Sequence, residues 1–166
     1  MILKHAVVGV AIALVSLWHH LHPVEARLLD PASRGTLWKR GYPIPAPSEE
    51  NAHYCGGHKH QELTEYGSNF GRGEVTKVFN AGGSAIFEVD QSNIQNDNAY
   101  IEFKICPSNN SLEHEPQDCF DRHPVNLEDG SGYRFRLHKS NKAKVKVKIP
   151  SDVNCNFCVL QYHIHE

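Results

Sequence analysis

The chain has 166 residues, and its 17 lysines and arginines nearly balance its 19 aspartates and glutamates. Proteins that bind DNA or RNA usually carry an excess of basic residues, which this composition lacks, so nucleic acid is not expected as a partner. The length is sufficient for one domain with its own hydrophobic core.

The first 26 residues are predicted to be a secretory signal peptide. A short basic start at Met1–His5 precedes an uncharged apolar run from Ala6 to Trp18. Val24-Glu25-Ala26 then places small residues at the −3 and −1 positions of a cleavage site after Ala26. The run is shorter than the about 20 residues that span a bilayer. We therefore expect residues 27–166 to form a secreted, extracellular domain without a membrane association.

The part of the chain that follows predicts strands rather than helices. Several prolines between Asp30 and Ser48 exclude a helix there and favour an extended segment. Short stretches beyond it have strand-like composition or alternate apolar and polar residues with a period of two. They are EVTKVF (74–79), AIFEV (85–89), AYIEFKI (99–105), YRFRL (133–137), KAKVKVKIP (142–150) and FCVLQYHIH (157–165). Short strands separated by turns predict an all-β sandwich.

The most regular alternation is that of KAKVKVKIP, residues 142–150, which places four lysines on one face of a strand. A basic stripe for an acidic partner is one interpretation. We favour another, in which an exposed strand carries lysines that discourage edge-to-edge pairing.

Five cysteines follow the predicted cleavage site and favour disulfides in an oxidising compartment. They are Cys55, Cys106, Cys119, Cys155 and Cys158. Because five is an odd number, one thiol is left over or pairs outside the chain. Cys155 and Cys158 have a C-x-x-C spacing, for which separate structural disulfides are favoured over redox or zinc chemistry. A Cys106–Cys119 bridge is one of the pairings left open, and Asn109 in Asn-Asn-Ser is a candidate glycosylation site.

Five blocks of sequence, in chain order, carry a resemblance to a known family. They are RLLDPASRGTLWKRGYPIPAP, YCGG, YIEFKICP, CFDRHPVNLEDGSGYRF and CNFCVLQY, and they extend from Arg27 to Tyr162. Together they resemble the insect-type lytic polysaccharide monooxygenases, which carry a chitin-binding type-4 domain. The resemblance implies a secreted immunoglobulin- or fibronectin-III-like β-sandwich, with a long N-terminal loop region, that acts on chitin or cellulose.

The resemblance also implies a copper site, whose ligands this chain lacks. In the family, an N-terminal histidine and a second histidine give copper three nitrogens in a histidine brace, which suits both of its oxidation states. Family members typically begin His-Gly-Arg-Leu; here Arg27-Leu28 match, and Glu25 occupies the histidine position. Asp97 occupies the position of the second histidine, before YIEFKICP. Because carboxylates favour harder metals than copper, we predict no metal, no cofactor and no catalytic residue.

Two further departures from the family concern the length of the chain. Only residues 58–72 separate CGG from GEVTK, where the family has a longer cysteine-rich segment, so Cys55 is expected to have lost its partner. The sequence ends at Glu166, where the family continues with a strand that carries the axial aromatic residue. A C-terminally truncated domain is therefore one interpretation.

Two histidine pairs have the i, i+2 spacing that puts both rings on one face of a strand. They are His58 with His60 and His163 with His165. Such a pair can bind zinc or copper, but the sequence identifies no third ligand for either. We favour the interpretation that these histidines are exposed polar residues rather than metal ligands.

Tyr54 and Tyr66 flank the shortened segment and are candidate carbohydrate contacts, because flat aromatic faces stack on pyranose rings.

The favoured hypothesis is a secreted, monomeric, non-catalytic protein that binds chitin or a related polysaccharide. One alternative is a copper-dependent monooxygenase with atypical ligands that cleaves chitin or cellulose. A second is a degenerate paralogue with a structural role.

Overall fold

Two antiparallel sheets form the fold of this chain. The computed structural model describes residues 26–43, 46, 74–108 and 115–165. The described strands are β1 (Arg27–Asp30), β2 (Ser84–Asp90), β3 (Tyr100–Pro107), β4 (Asn126–Leu127), β5 (Arg134–Arg136), β6 (Lys142–Lys148) and β7 (Cys158–His165). The described helices are a 3-10 helix at Arg34–Arg40 and α1 at Gln117–Arg122. One sheet has the strand order β1-β2-β6-β4 and the other β5-β3-β7.

The inner faces of the two sheets pack against each other. Phe87 of β2 and Phe103 of β3 are both fully buried, and their rings meet edge to face with centroids 4.9 Å apart. Valines of β6 and isoleucines of β3 complete the same apolar core. The predicted all-β sandwich is confirmed. No helix in the described part of the chain has the length and apolar character needed to cross a bilayer.

The alternation of KAKVKVKIP produces the exposed lysine face that the sequence predicts. Val145 and Val147 of β6 are buried, whereas all four lysines of the strand are exposed. The favoured edge-strand interpretation holds in part, because in the described part of the chain β6 has a second ladder partner only at Val147 and Lys148. It pairs along its whole length with β2, and its last residues also pair with β4.

Three local predictions differ from the structure. EVTKVF, residues 74–79, forms no strand; Val75 and Val78 are exposed, so this segment lacks a buried face. The proline-rich region does contain a helical segment, because the 3-10 helix fits between Pro31 and Pro43. Gly41, whose φ is 82°, caps its C-terminal end. The region before β4, where no helix was predicted, contains the short helix α1.

Four of the five cysteines lie within disulfide-bonding distance in pairs. Cys106 and Cys119 have Cα atoms 5.3 Å apart and join β3 to α1. Cys155 and Cys158, with Cα atoms 5.8 Å apart, pair with each other. The expectation of separate disulfides for these two is therefore wrong, because the turn before β7 folds back on itself. Cys55 lies outside the described residues.

Candidate functional site

The position predicted to match the second brace histidine lies in the loop before β3. Asp97 of this loop is exposed. Nε of Arg136, on β5, donates a hydrogen bond to the backbone carbonyl of Asp97 at 3.0 Å. A terminal nitrogen of the same guanidinium donates to Oδ1 of Asn98, also at 3.0 Å. The loop is thus attached to β5 by its backbone, while the Asp97 carboxylate faces solvent.

The start of β1 lies at the same end of the sandwich as this loop. Arg27 pairs with Asp90, the last residue of β2, and the loop departs from that residue.

Several other predicted residues lie outside the described part of the chain. They are Glu25, Tyr54, Cys55, His58, His60, Tyr66 and Asn109, and the roles assigned to them stay predictions.

The strand that follows the loop carries a row of polar side chains on its outer face. Ile101, Phe103 and Ile105 of β3 point into the core, so the residues between them point outward. The antiparallel register of β3 and β7 places Tyr100 opposite His165, Glu102 opposite His163 and Lys104 opposite Gln161. Three cross-strand polar pairs therefore lie in line on this face.

Three of these side chains converge. Ligand atoms of Glu102, His163 and His165 all lie within 4.8 Å of one another. Oε1 of Glu102 and Nε2 of His165 are 3.2 Å apart, which is within ion-pair distance. Despite this distance, the buried Nε2 atom of His165 has no hydrogen-bond partner. We name Glu102, His163 and His165 the Glu-His-His cluster.

Two rings contact the ring of His165. It stacks on that of Tyr100 with centroids 4.3 Å apart and planes at 9°. The centroid of the His163 ring lies 4.2 Å away, with the planes at 38°. His165 is thus the fixed member of the cluster, whereas His163 is more exposed.

The charges around the cluster keep Glu102 ionised. Burial alone would raise the pKa of Glu102, but the nearby side chains of His165 and Lys104 outweigh it and lower that pKa. Partial burial, together with the neighbouring His165, lowers the pKa of His163. An ionised Glu102 carboxylate beside a His163 imidazole that favours the neutral form is the expected state near neutral pH.

A polar network extends from the cluster to α1. Nζ of Lys104 lies 3.2 Å from Oε1 of Glu102 and 2.8 Å from Oδ1 of Asp121. Asp121 raises the pKa of Lys104, and Lys104 in turn lowers the pKa of Asp121. Gln117 also donates to Asp121, at 3.0 Å, and exchanges hydrogen bonds with Gln161. Lys104 therefore has a second anionic partner besides Glu102.

A group of aromatic and cationic side chains borders the cluster on the β5 side. The guanidinium carbon of Arg134 lies 4.9 Å from the ring centroid of Tyr100 and 5.4 Å from that of Tyr133. Tyr133 is 37% exposed. We call Tyr100, Arg134 and Tyr133 the tyrosine–arginine group.

Sequence reasoning brought together two of the three members of the Glu-His-His cluster. The i, i+2 spacing places His163 and His165 on one face of β7, as the structure has them. Glu102 was missed because its approach depends on the register between two strands that are distant in sequence. A glutamate on the polar face of YIEFKICP is the signal that points to it.

Comparisons with known proteins give the context of the fold. No protein-family model and no curated protein matches the chain. Among solved structures, the chain is similar to a lytic polysaccharide monooxygenase AA15 from Thermobia domestica in the Cu(I) state. The two share 28% sequence identity and a TM-score of 0.69, over 83% of this chain and 81% of that one. The chain has a lytic polysaccharide monooxygenase-like fold.

Copper does not fit the donor at the position that the family resemblance predicts for the second brace histidine. The brace that the family resemblance implies needs an imidazole there, and Asp97 offers an exposed carboxylate. A single carboxylate oxygen is a poor substitute for an imidazole in binding copper. The two imidazoles that the structure does bring together, those of His163 and His165, lie on the outer face of the sheet β5-β3-β7.

Proposed function

We propose that this protein is a secreted, non-catalytic protein that binds chitin or a related polysaccharide on a lytic polysaccharide monooxygenase-like scaffold. The observation that carries this proposal is the similarity to a lytic polysaccharide monooxygenase in both fold and sequence. The exposed carboxylate of Asp97 at a brace position is the reason for proposing binding without oxidation. We further propose that a leader of 26 residues is removed and that residues 27–166 act extracellularly as a monomer.

The tyrosine–arginine group supports a carbohydrate-binding surface. Tyrosine rings offer flat apolar faces of the kind that stack on sugar rings, and their hydroxyls can hydrogen-bond. The guanidinium of Arg134 lies close to the rings of Tyr100 and Tyr133, which favours a fixed arrangement of the three. Tyr54 and Tyr66 remain further candidates for the same role.

A binding assay on insoluble polysaccharide tests the proposal. Purified mature protein is mixed with crystalline chitin or cellulose, and the free protein is measured after sedimentation. We expect saturable retention on at least one of the two polymers at moderate salt, and weaker retention of the Tyr133→Ala variant than of Tyr133→Phe. No retention of the unaltered protein on either polymer would contradict the proposal.

A second assay separates binding from oxidation. The protein is incubated with copper, ascorbate and chitin or cellulose, and the soluble products are analysed by mass spectrometry beside an active monooxygenase. We expect no oxidised oligosaccharides from this protein. Their release would instead support a copper-dependent monooxygenase with atypical ligands, the alternative favoured by the Cu(I) state of the similar structure.

A further inference from the structure

We propose that the Glu-His-His cluster binds one divalent transition-metal ion of the zinc–copper class. The proposed site lies on the outer face of the sheet β5-β3-β7 and uses none of the brace positions. It is independent of polysaccharide binding, so either proposal can fail while the other holds.

The chemistry of the donor set supports a borderline-soft ion. Imidazole nitrogens suit zinc and copper, whereas calcium and magnesium require mostly oxygen ligands. Two histidines and one glutamate form a recurrent set of protein ligands for zinc, which leaves one coordination position for water. The cluster offers these three donors from two neighbouring strands.

The distances are close to those of a metal site. Ligand atoms around a tetrahedral zinc ion, each about 2.0–2.1 Å from it, lie about 3.3 Å apart. Oε1 of Glu102 and Nε2 of His165 are already 3.2 Å apart. The ligand atom of His163 lies within 4.8 Å of both, and because this side chain is exposed, a small rotation can bring it closer.

The backbone holds the three donors in place. Glu102 and His163 are direct partners in the β3–β7 ladder, and His165 follows His163 on the same face. Directly opposed residues in an antiparallel pair have Cβ atoms about 4.5–5.5 Å apart. Stacking on Tyr100 fixes the ring plane of His165. Metal binding therefore requires no rearrangement of the sheet.

The burial of the Nε2 atom of His165 is a further observation that points to a ligand. This atom is buried and has no hydrogen-bond partner, although it faces a carboxylate. Buried polar atoms are nearly always satisfied in folded proteins. An ion between this nitrogen and Glu102 would accept the lone pair of the nitrogen and balance the charge of the carboxylate.

Lys104 is the side chain that opposes metal binding. Its ammonium approaches the same Oε1 atom of Glu102, at 3.2 Å, and would repel a cation. Its shorter contact is with Asp121, at 2.8 Å, so Lys104 has a partner to keep when an ion takes Glu102. Replacing Lys104 with glutamine is therefore expected to tighten metal binding.

Titration of tag-free, metal-depleted mature protein with Zn²⁺ and with Cu²⁺ tests the proposal. We expect one ion per chain for each metal by isothermal titration calorimetry, and no binding of Ca²⁺ or Mg²⁺ at the same concentrations. Loss of an outer-shell partner alone costs about 10–100-fold in metal affinity. We expect the His163→Ala variant to lose at least as much, and Lys104→Gln to bind more tightly than the unaltered protein.

Two matched variants locate the ion. His138→Ala removes another exposed histidine, and Asp97→Ala removes the carboxylate at the brace position; neither is expected to change zinc affinity. Glu102→Gln tests the carboxylate, with circular dichroism to verify the fold. If that variant does not fold, the exposed His163 still decides the question. Failure of the unaltered protein to bind Zn²⁺ and Cu²⁺, or equal affinity of the His163→Ala and His138→Ala variants, would overturn the proposal.

Discussion

The outer faces of the two sheets follow the same sequence rule and present different chemistry. On β6, alternation places four lysines in a row, and Nζ of Lys142 lies 3.0 Å from the Glu88 carboxylate on β2. On β3 and β7, alternation places a carboxylate and two imidazoles opposite one another. A period of two determines which residues face outward, and the register between strands determines which of them meet. The lysine face is thus a property of one strand, whereas the Glu-His-His cluster is a property of a pair.

The inner faces of the two sheets form one common core, and we expect substitutions there to have the largest effect on stability. Replacing the fully buried Phe103 with alanine removes the ring that packs on Phe87. Such a core truncation costs about 3–5 kcal/mol. Urea unfolding of the Phe103→Ala variant checks this value. The Val78→Ala variant is the control, because Val78 is 84% exposed, and a loss there as large as in the core would contradict the described packing.

The second-largest expected effect is the stabilisation by zinc, which should depend on the outer face of β3 and β7 and not on that of β6. At a free zinc concentration 100 times the dissociation constant, binding stabilises the folded state by about 2.7 kcal/mol. We expect zinc to raise the melting temperature of the unaltered protein and of Lys146→Ala, but not that of His163→Ala. Differential scanning fluorimetry measures all three. An equal increase in His163→Ala would place the ion elsewhere.

Polysaccharide binding should follow the tyrosine–arginine group rather than the lysine face. Loss of one aromatic contact is worth about 1 kcal/mol, or roughly fivefold in affinity. We expect Tyr133→Ala to weaken binding to chitin by about this factor, and the double change Lys144→Gln and Lys146→Gln to leave it unchanged. Binding isotherms on chitin provide the measurement. The reverse order of effects would instead assign the binding surface to β6.

The smallest expected effect is a change in the pKa of Asp129, which lies in the turn between β4 and β5 that links the two sheets. The hydroxyl and the backbone N–H of Ser131 donate to Oδ1 of Asp129, and this lowers the pKa of that carboxyl. These hydrogen bonds stabilise the folded state fully when the pH is above 3.8, the ordinary pKa of an aspartate. The stabilisation is lost as the pH falls through the lower pKa that Asp129 has in the folded state. Ser131→Ala should raise the pKa of Asp129, whereas Ser140→Ala, outside this turn, should not. An NMR titration of the carboxyl carbon measures both.

The sequence was sufficient for the fold class and for the faces of the long strands. YIEFKICP became the largely buried strand β3, and the segment ending in HIH became β7, whose residues are half-buried or exposed. Residues 74–79 were misread because strand-like composition does not supply a pairing partner. The 3-10 helix was missed because it needs only the short proline-free stretch between Pro31 and Pro43.

The candidate site was only partly predictable for a related reason. One strand gives the spacing of His163 and His165 directly, but the glutamate comes from a neighbour whose alignment depends on tertiary structure. A slip of one residue between β3 and β7 would place Ile101 or Phe103 opposite His163 instead. Local pattern therefore identifies ligands on one strand, and only the folded sheet completes the set.

Arg136 has a consequence for engineering this protein. Its guanidinium holds the main chain of Asp97 and the side chain of Asn98, so the segment before β3 is already anchored to β5. A histidine grafted at position 97 would inherit a preorganised backbone, and design effort could go to the amino-terminal half of a restored brace. The contacts of Arg136 thus make the predicted second brace position a defined place at which to introduce a histidine.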